Sequence, residues 1–450
     1  MADAAGPKPP LLECRRSDFA LPPDLHYLNC AYMGPLPVRA QEAGVAGVRA
    51  KAAPTAIEPA DFFRDSDEAR ALFAQIIGAR DPERVAIVPS VSYGIATVAR
   101  NVHCTAGDSI VIAAEQFPSN VYAWRRLAAA TGAAMRVVGP RSDSARGESW
   151  TEALLDAIDE RCAVVALPHV HWTDGTRFDL ERIAEKTRAA GAALVIDGTQ
   201  SIGAMPFDFE RIRPDALICA GYKWLLGPYG IGFAWLGERF DDGVPLEETW
   251  IGREHSEDFQ HLIDYRDTYQ PGAARFDVGE RSNFILLPMV IESMRLVLDW
   301  GADNIQRYCD RLCAGVLEEA ATLGFRVEAS QWRGAHLYGL RWPPGMDQGI
   351  LGTALRTRNV FASLRGSALR VSPNMYNDAD DVNALLDALR ADSQTPGSSG
   401  PPSKRADGSP TAPSSNVAAP ASSNVAAPPS SNVAAPANGG GERAASSPER

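Results

Sequence analysis

The sequence predicts an α/β protein, with a large domain on a mostly parallel seven-stranded sheet and a smaller α+β C-terminal domain. Three observations carry the prediction. Seven short apolar, β-branched runs recur between residues 85 and 236, and most are continuous rather than alternating, as in strands buried on both faces. Helical patterns separate several of these runs, and repeated strand–helix units favour parallel neighbours with helices on both sides. Beyond about Arg281 the texture shifts to two long amphipathic patterns followed by short strands.

In order, the predicted strands span residues 85–89, 109–114, 135–139, 163–169, 193–197, 216–221 and 231–236. Between the fourth and fifth, Asp179 is placed to cap a helix and Gly191 to stop it. Residues 288–301 and 304–324 read as long helices, with short strands around 326–328, 336–342 and 360–364. A last helix begins near Asp378, its acidic first turn suited to the helix dipole. These elements divide the chain into a large domain at 61–285 and a small one at 286–392, with residues 1–60 packing on the small domain or covering the active-site mouth. From residue 393 Ser, Pro, Ala, Asn and Gly dominate, and SSNVAAP recurs at Ser414, Ser422 and Ser430. So little apolar surface cannot offset the entropy of ordering, and 393–450 reads as a disordered tail.

Composition narrows the function. The 450 residues carry a net charge of −12 and no basic block, which argues against nucleic-acid binding. Seven scattered cysteines form no CxxC pair, so neither a zinc site nor a disulfide framework is expected. Cys309 and Cys313, spaced i, i+4, read as packing residues. Reduced thiols fit a cytoplasmic protein. The first 20 residues lack an apolar stretch and contain Asp3, Glu13 and Asp18, so no signal peptide is expected. The apolar stretch 216–237 is interrupted by Lys223, Pro228 and several glycines and is not a membrane span. The expected partner is a small molecule.

In open α/β sheets ligands gather beyond the carboxyl ends of the strands, so the residues following each strand are the natural candidates. Ser90-Val91-Ser92 opens a helix after the first strand, where a hydroxyl and free N–H groups suit a phosphate, although Ser also caps helices generally. No GxGxxG follows this strand, which removes a dinucleotide reading. Phe117 lies just past the second strand. Asp197 ends the fifth, where a carboxylate needs a positive or proton-donating partner. Lys223 follows the sixth among Tyr222, Trp224 and Leu225, a setting that would desolvate the amine and favour nucleophilic or Schiff-base chemistry, with a snorkelling surface lysine an equal alternative from this segment alone. Asp197 and Lys223 end consecutive predicted strands and can face one cleft. Together they match the needs of pyridoxal phosphate: an aldehyde-capturing amine and an acid that keeps the pyridinium protonated.

The segment VIDGTQSIGAMPFDFERIRPDALICAGYKWLLGPYGIGFAWL resembles the lysine-centred region of class V aminotransferases, a fold type I superfamily that includes cysteine desulfurases, kynureninases and isopenicillin-N epimerase. The resemblance extends more loosely from Tyr27-Leu28-Asn29 to the last helix. It implies that Lys223 carries pyridoxal phosphate as a Schiff base, Asp197 pairs with the pyridine nitrogen and Gln200 bonds the ring hydroxyl. Val91, through its backbone, and Ser92 would hold the phosphate with Tyr222, and Phe117 would stack on the ring. Arg370, in Leu369-Arg370-Val371-Ser372-Pro373, would bind the substrate carboxylate, with Asn29 and Trp172 at the substrate. His169 and His171 fall in the same stretch as Trp172, with structural roles the alternative for both. The 275–280 run falls where relatives reach a partner's phosphate across a dimer interface; Ser282 and Asn283 suit that contact better than Glu280. A homodimer is implied.

Two departures narrow the reaction. Desulfurases carry a nucleophilic cysteine shortly before the carboxylate-binding arginine, whereas this chain has only Ala362 to Ser367 there and no cysteine after Cys313. Kynureninases usually have His where this chain has Gln200. The family default is then amino-group transfer on an α-amino acid or related amine. A kynureninase-like hydrolase, a C–S lyase or an epimerase on the same scaffold is the alternative, and a non-catalytic protein retaining the fold the remotest.

Overall fold

The computed structural model describes residues 11–343, 346 and 348–393, so the tail predicted from residue 393 lies, after its first residue, outside the described residues. The seven predicted runs form one sheet: β1 (Val85–Val88), β2 (Ser109–Ala113), β3 (Ala134–Val138), β4 (Cys162–Pro168), β5 (Ala193–Asp197), β6 (Ala216–Ala220) and β7 (Gly232–Leu236). Their spatial order is β1-β7-β6-β5-β4-β2-β3. β7 runs antiparallel to both neighbours, and the remaining pairs are parallel. Six strands therefore share one direction, and their carboxyl ends form a single edge.

Alternate residues explain the continuous apolar runs. Val88, Ile112, Val195 and Ile218 pack on one face beneath helices Val91–Asn101 and Tyr122–Thr131. Ile87, Leu217 and Phe233 pack on the other against Asp61–Ile77 and Leu286–Trp300. Farther along that second face, Val165, Leu194 and Ile196 meet Arg146–Ala157 and Leu180–Ala189. Both faces are dry, so neither set of side chains is polar. β3 is the exception, an edge strand that leaves Val137 exposed. Local signals act as predicted: Asp179 accepts the Arg182 N–H at 3.2 Å, and Gly191 leaves the helix with φ +71°. Among the described residues no helix is long and apolar enough to cross a membrane.

Beyond the sheet, Leu286–Trp300 and Ala302–Thr322 are helical, and Cys309 and Cys313 are both buried in apolar cores. A three-stranded antiparallel sheet places Ala368–Val371 between Ser363–Arg365 and Tyr338–Arg341. The strand predicted at 326–328 is reduced to one bridge, Arg326 with Arg341. Its continuation is diverted because the Glu328 carbonyl accepts from the Arg333 side chain at 3.0 Å. The predicted 360–364 strand divides in two, since Val360–Phe361 pairs in parallel with His26–Tyr27 while Ser363–Arg365 turns into the hairpin.

The amino-terminal segment joins these parts. Leu28 and Cys30 donate backbone hydrogen bonds to Phe361 and Ser372. Helix Val38–Lys51 packs on Leu286–Trp300, and at Gly47 a β-carbon would sit 2.3 Å from the Phe284 carbonyl.

Asp277, in the run suspected of a cross-subunit role, is a buried anchor of β1. Its Oδ1 accepts the Ile87 N–H at 2.8 Å, and its Oδ2 accepts from Arg70 and, at 2.6 Å, from Arg281. Both guanidiniums are buried, so removing the carboxylate leaves Arg281 without an ion-pair partner among the described residues, Arg70 with only the more distant Asp67 at 3.8 Å, and an unpaired N–H. Asp277→Ala is expected to cost about 3–5 kcal/mol in urea unfolding; a loss below about 1 kcal/mol contradicts this anchoring role.

Candidate active site

Because six strands point the same way, the segments after β1, β2, β4, β5 and β6 converge on one edge. The start of the reversed β7 meets them there. They enclose a cavity of about 210 Å³ lined by Ser92, Phe117, Trp172, Asp197, Gln200 and Lys223, among others.

After β1, Ser90 caps the helix that begins at Val91, accepting the Tyr93 N–H at 3.2 Å. Its Oγ also lies 2.9 Å from Ser92 Oγ. The first helical N–H groups, on Val91 and Ser92, have no intrahelical acceptor by geometry, and both residues line the cavity. Helix capping and an anion-ready corner are thus the same feature. After β2, Gln116 Oε1 accepts the Phe117 N–H at 2.9 Å, and the buried Gln116 Nε2 has no acceptor among the described residues.

Asp197 ends β5 and is buried; its Oδ1 accepts the Thr199 N–H at 3.0 Å. Burial raises its pKa, against the opposing hydrogen bonds from Thr199 and the charge of Lys223. Thr199 Oγ1 in turn accepts the Ala220 N–H at 3.2 Å, tying the turn after β5 to the end of β6. Lys223 is only 7% exposed. Its pKa is lowered to about 8, first by burial and then by the charge of Arg370, with Asp197 opposing. Among the described residues neither Asp197 nor Lys223 forms an ion pair. Lys223 Nζ sits 5.6 Å from the ring centres of both Phe117 and Tyr222. Burial pushes the Tyr222 phenol up to about 12, and its ring leans on Tyr229 at 4.7 Å.

The lysine turn is held from outside. Gly34 donates its N–H to the Tyr222 carbonyl at 2.9 Å, and a β-carbon on Gly34 would stand 2.2 Å from the Lys223 carbonyl. Only glycine permits this approach. Gln200 is occupied in part: Oε1 accepts Trp224 Nε1 at 3.0 Å and Nε2 donates to Ala31 O at 3.2 Å, leaving one Nε2 hydrogen.

Trp172 closes the far side, meeting Phe117 edge-on at 5.4 Å and anchored by its indole N–H on the Glu115 carbonyl at 2.7 Å. Its own carbonyl accepts from Arg370 Nη1 at 2.7 Å. Arg370 is 2% exposed with no carboxylate partner among the described residues, and its Nε has no acceptor. Burial, then the charge of Arg365, pushes its pKa down to about 9.

Neither Asn29 nor Arg370 is among the residues lining this cavity; Arg370 reaches its wall through the Trp172 carbonyl. Asn29 is linked to Arg370 through Ser363, its Oδ1 accepting the Ser363 hydroxyl at 2.8 Å while Ser363 Oγ accepts from Arg370 Nη2 at 3.4 Å. The two histidines also lie off the cavity. His171 is satisfied by Thr173 Oγ1 at 2.8 Å and Ala114 O at 3.2 Å, and burial depresses the His169 pKa to about 3. Ser282 donates to the Phe62 carbonyl, and Asn283 Oδ1 accepts the N–H groups opening helix Leu286–Trp300. Sequence reasoning did not single out Gln116, Thr199, Gly34 or Arg365. Of these, Thr199 carried a readable signal, a hydroxyl two residues beyond the strand-ending Asp197.

Known proteins resemble the chain in sequence and in fold. The model for aminotransferase class-V matches residues 58–321. An uncharacterized aminotransferase of Bacillus subtilis (strain 168), YcbU, is 28% identical over 343 residues, covering 75% of this chain and 84% of that protein. Isopenicillin N epimerase of Streptomyces clavuligerus is 27% identical over 390 residues, covering 84% and 97%. The apo structure of a cysteine desulfurase from Thermococcus onnurineus NA1 shares the fold with a TM-score of 0.71 at 19% identity, over 84% of this chain and 98% of that one. With the family match spanning more than half its length, the chain belongs to the class-V aminotransferase family of pyridoxal phosphate enzymes.

Proposed function

We propose that the chain transfers the amino group of an α-amino acid, with Lys223 as the cofactor-bearing amine and Asp197 as the partner of the cofactor's ring nitrogen. One observation carries the reading: a buried lysine and a buried carboxylate line one cavity, and neither is neutralised by an ion pair. Charges are rarely buried in this way unless a ligand completes them. Pyridoxal phosphate fits, since it brings an aldehyde for the amine, a basic nitrogen for the acid and a phosphate for the open N–H groups of Val91 and Ser92.

When bound, the cofactor supplies an electron-withdrawing ring that stabilises negative charge beside the substrate nitrogen. The protein's part follows from its residues. Asp197 keeps the ring nitrogen protonated. Lys223, with its lowered pKa, accepts and returns a proton at Nζ. Phe117 offers the stacking face, Tyr222 assists Ser92 with the phosphate, and Gln200 has one hydrogen left for the ring hydroxyl. Arg370 binds the substrate carboxylate as a bidentate fork beside Trp172, and Asn29 orients it through Ser363. Burial of Asp197, Lys223 and Arg370 strengthens these contacts.

The cysteines support a route without a persulfide nucleophile of the desulfurase loop type. The hairpin before Arg370 contains none, and the two near Lys223, Cys30 and Cys219, are both buried, with burial pushing the Cys30 thiol up to about 12 and that of Cys219 well above its ordinary value. Epimerisation is the second reading, favoured by the near-complete coverage of the isopenicillin N epimerase. A cytoplasmic homodimer completes the proposal; free cysteines throughout support a reducing compartment.

Purified protein with cofactor should show a visible absorbance band that Lys223→Ala abolishes; persistence of the band in that variant removes Lys223 from its role. Transamination predicts a keto acid product and the pyridoxamine form of the cofactor, whereas solvent deuterium at Cα without keto acid selects epimerisation. The nucleophile is the neutral amine, and a pKa lowered to about 8 makes that form prevalent above about pH 8. Cofactor capture by cofactor-free protein should therefore accelerate through about pH 8 and level off above it; a midpoint near the ordinary lysine value contradicts the desolvated site. Arg370→Ala should raise KM for α-carboxylate substrates about tenfold to a hundredfold, the worth of a charge-assisted hydrogen-bond pair. An unchanged KM rejects the assignment.

A further inference from the structure

We infer that the substrate carries a second anionic group on its side chain, received by Arg365, so that the enzyme acts on acidic amino acids. This rests on the proposed role of Arg370 and extends it.

Arg365 and Arg370 belong to one antiparallel hairpin in which Ser363 pairs with Arg370 and Arg365 with Ala368. Directly paired residues share a face, and so do alternate residues along each strand, so both guanidiniums rise from the same side as diagonal neighbours. Neither forms an ion pair among the described residues. Arg365 makes one hydrogen bond, from Nη1 to the adjacent Leu364 carbonyl at 3.0 Å, and its buried Nε has no acceptor.

Its guanidinium lies 5.9 Å from the centre of the Trp172 ring. Trp172 lines the cavity, and its carbonyl holds Arg370. One residue thus orients both cations, with its indole beneath Arg365 and its backbone on Arg370. Two partly desolvated like charges on one hairpin face repel, and the charge of Arg365 helps to push the Arg370 pKa down. A single carboxylate on Arg370 leaves the second cation uncompensated. A dianion bridging the two removes the repulsion and supplies the acceptor that Arg365 lacks.

The test uses cofactor-loaded protein and calorimetric binding of two unreactive probes, glutarate and butyrate. Glutarate should bind at least about tenfold more tightly than butyrate, the worth of one charge-assisted contact. In Arg365→Ala that preference should fall to within about twofold through loss of glutarate affinity alone, with the visible band intact as evidence of a folded, loaded protein. Equal affinity for the two probes in the unaltered protein overturns the inference, as does a preference that survives in Arg365→Ala. Equal weakening of both probes in the variant overturns it too, since Arg365 then shares one carboxylate with Arg370. Absence of the visible band from the unaltered protein is a separate failure, one of the cofactor reading; the two probes are then compared on the protein as purified, where equal affinity again overturns the inference.

Discussion

Asp197 and Lys223 are buried at the ends of adjacent strands without reaching each other, and the site depends on that separation. A direct ion pair would satisfy both charges, leave the amine protonated and close the cavity between them. Holding them apart in low dielectric raises the pKa of the acid and lowers that of the amine, at a cost of several kcal/mol per group. Rigid neighbours make the arrangement sustainable. Thr199 ties the turn after β5 to the end of β6, and Gly34 grips the lysine turn from behind. The reversal of β7 contributes as well, since the residues leading into it, Gly230 and Ile231, lie at the same edge as the other strands' ends and wall the cavity beside Tyr229.

Much of this was legible in the sequence, and for a physical reason. A strand buried on both faces has no polar positions to spare, so an ionisable residue at its end stands out against the run. Asp197 and Lys223 are both of this kind, and the seven runs that precede such ends could be located within a residue or so of the observed strands. Val91 and Ser92 were readable for a related reason, because a helix that starts at a strand's carboxyl end presents its free N–H groups to whatever lies there.

What escaped was set by register and long-range pairing. Asn29 reads as a substrate contact from its place in the chain, yet its bridge to Ser372 draws it behind Arg370. Arg365 stands beside Gly366 and Ser367 with nothing local to mark it out; only the pairing of Ser363 with Arg370 brings it onto the same face as the buried arginine. The orphaned Gln116 Nε2 carries no sequence signal, since an amide after a strand is satisfied in most settings. His171 is the converse case. Its position after β4 allows a functional or a structural reading, and two ordinary hydrogen bonds satisfy the structural one.

The amino-terminal segment explains how the two halves of the site stay in register. Residues 28–30 hydrogen-bond to the strand that carries Arg370, and four positions later Gly34 bonds to the residue before Lys223. One short stretch of backbone thus spans from the Arg370 side to the Lys223 amine. A shift of the small sheet relative to the large one would pull on both contacts at once, and the charge of Arg370 is already felt at Lys223. Neutralising Arg370 with a bound carboxylate removes the cationic contribution that lowers the Lys223 pKa. On the proposed roles of Arg370 and Lys223, substrate binding would therefore raise the proton affinity of Nζ at the step where the amine acts as a base, a coupling that follows from the placement of two cations at the two ends of one strap of chain.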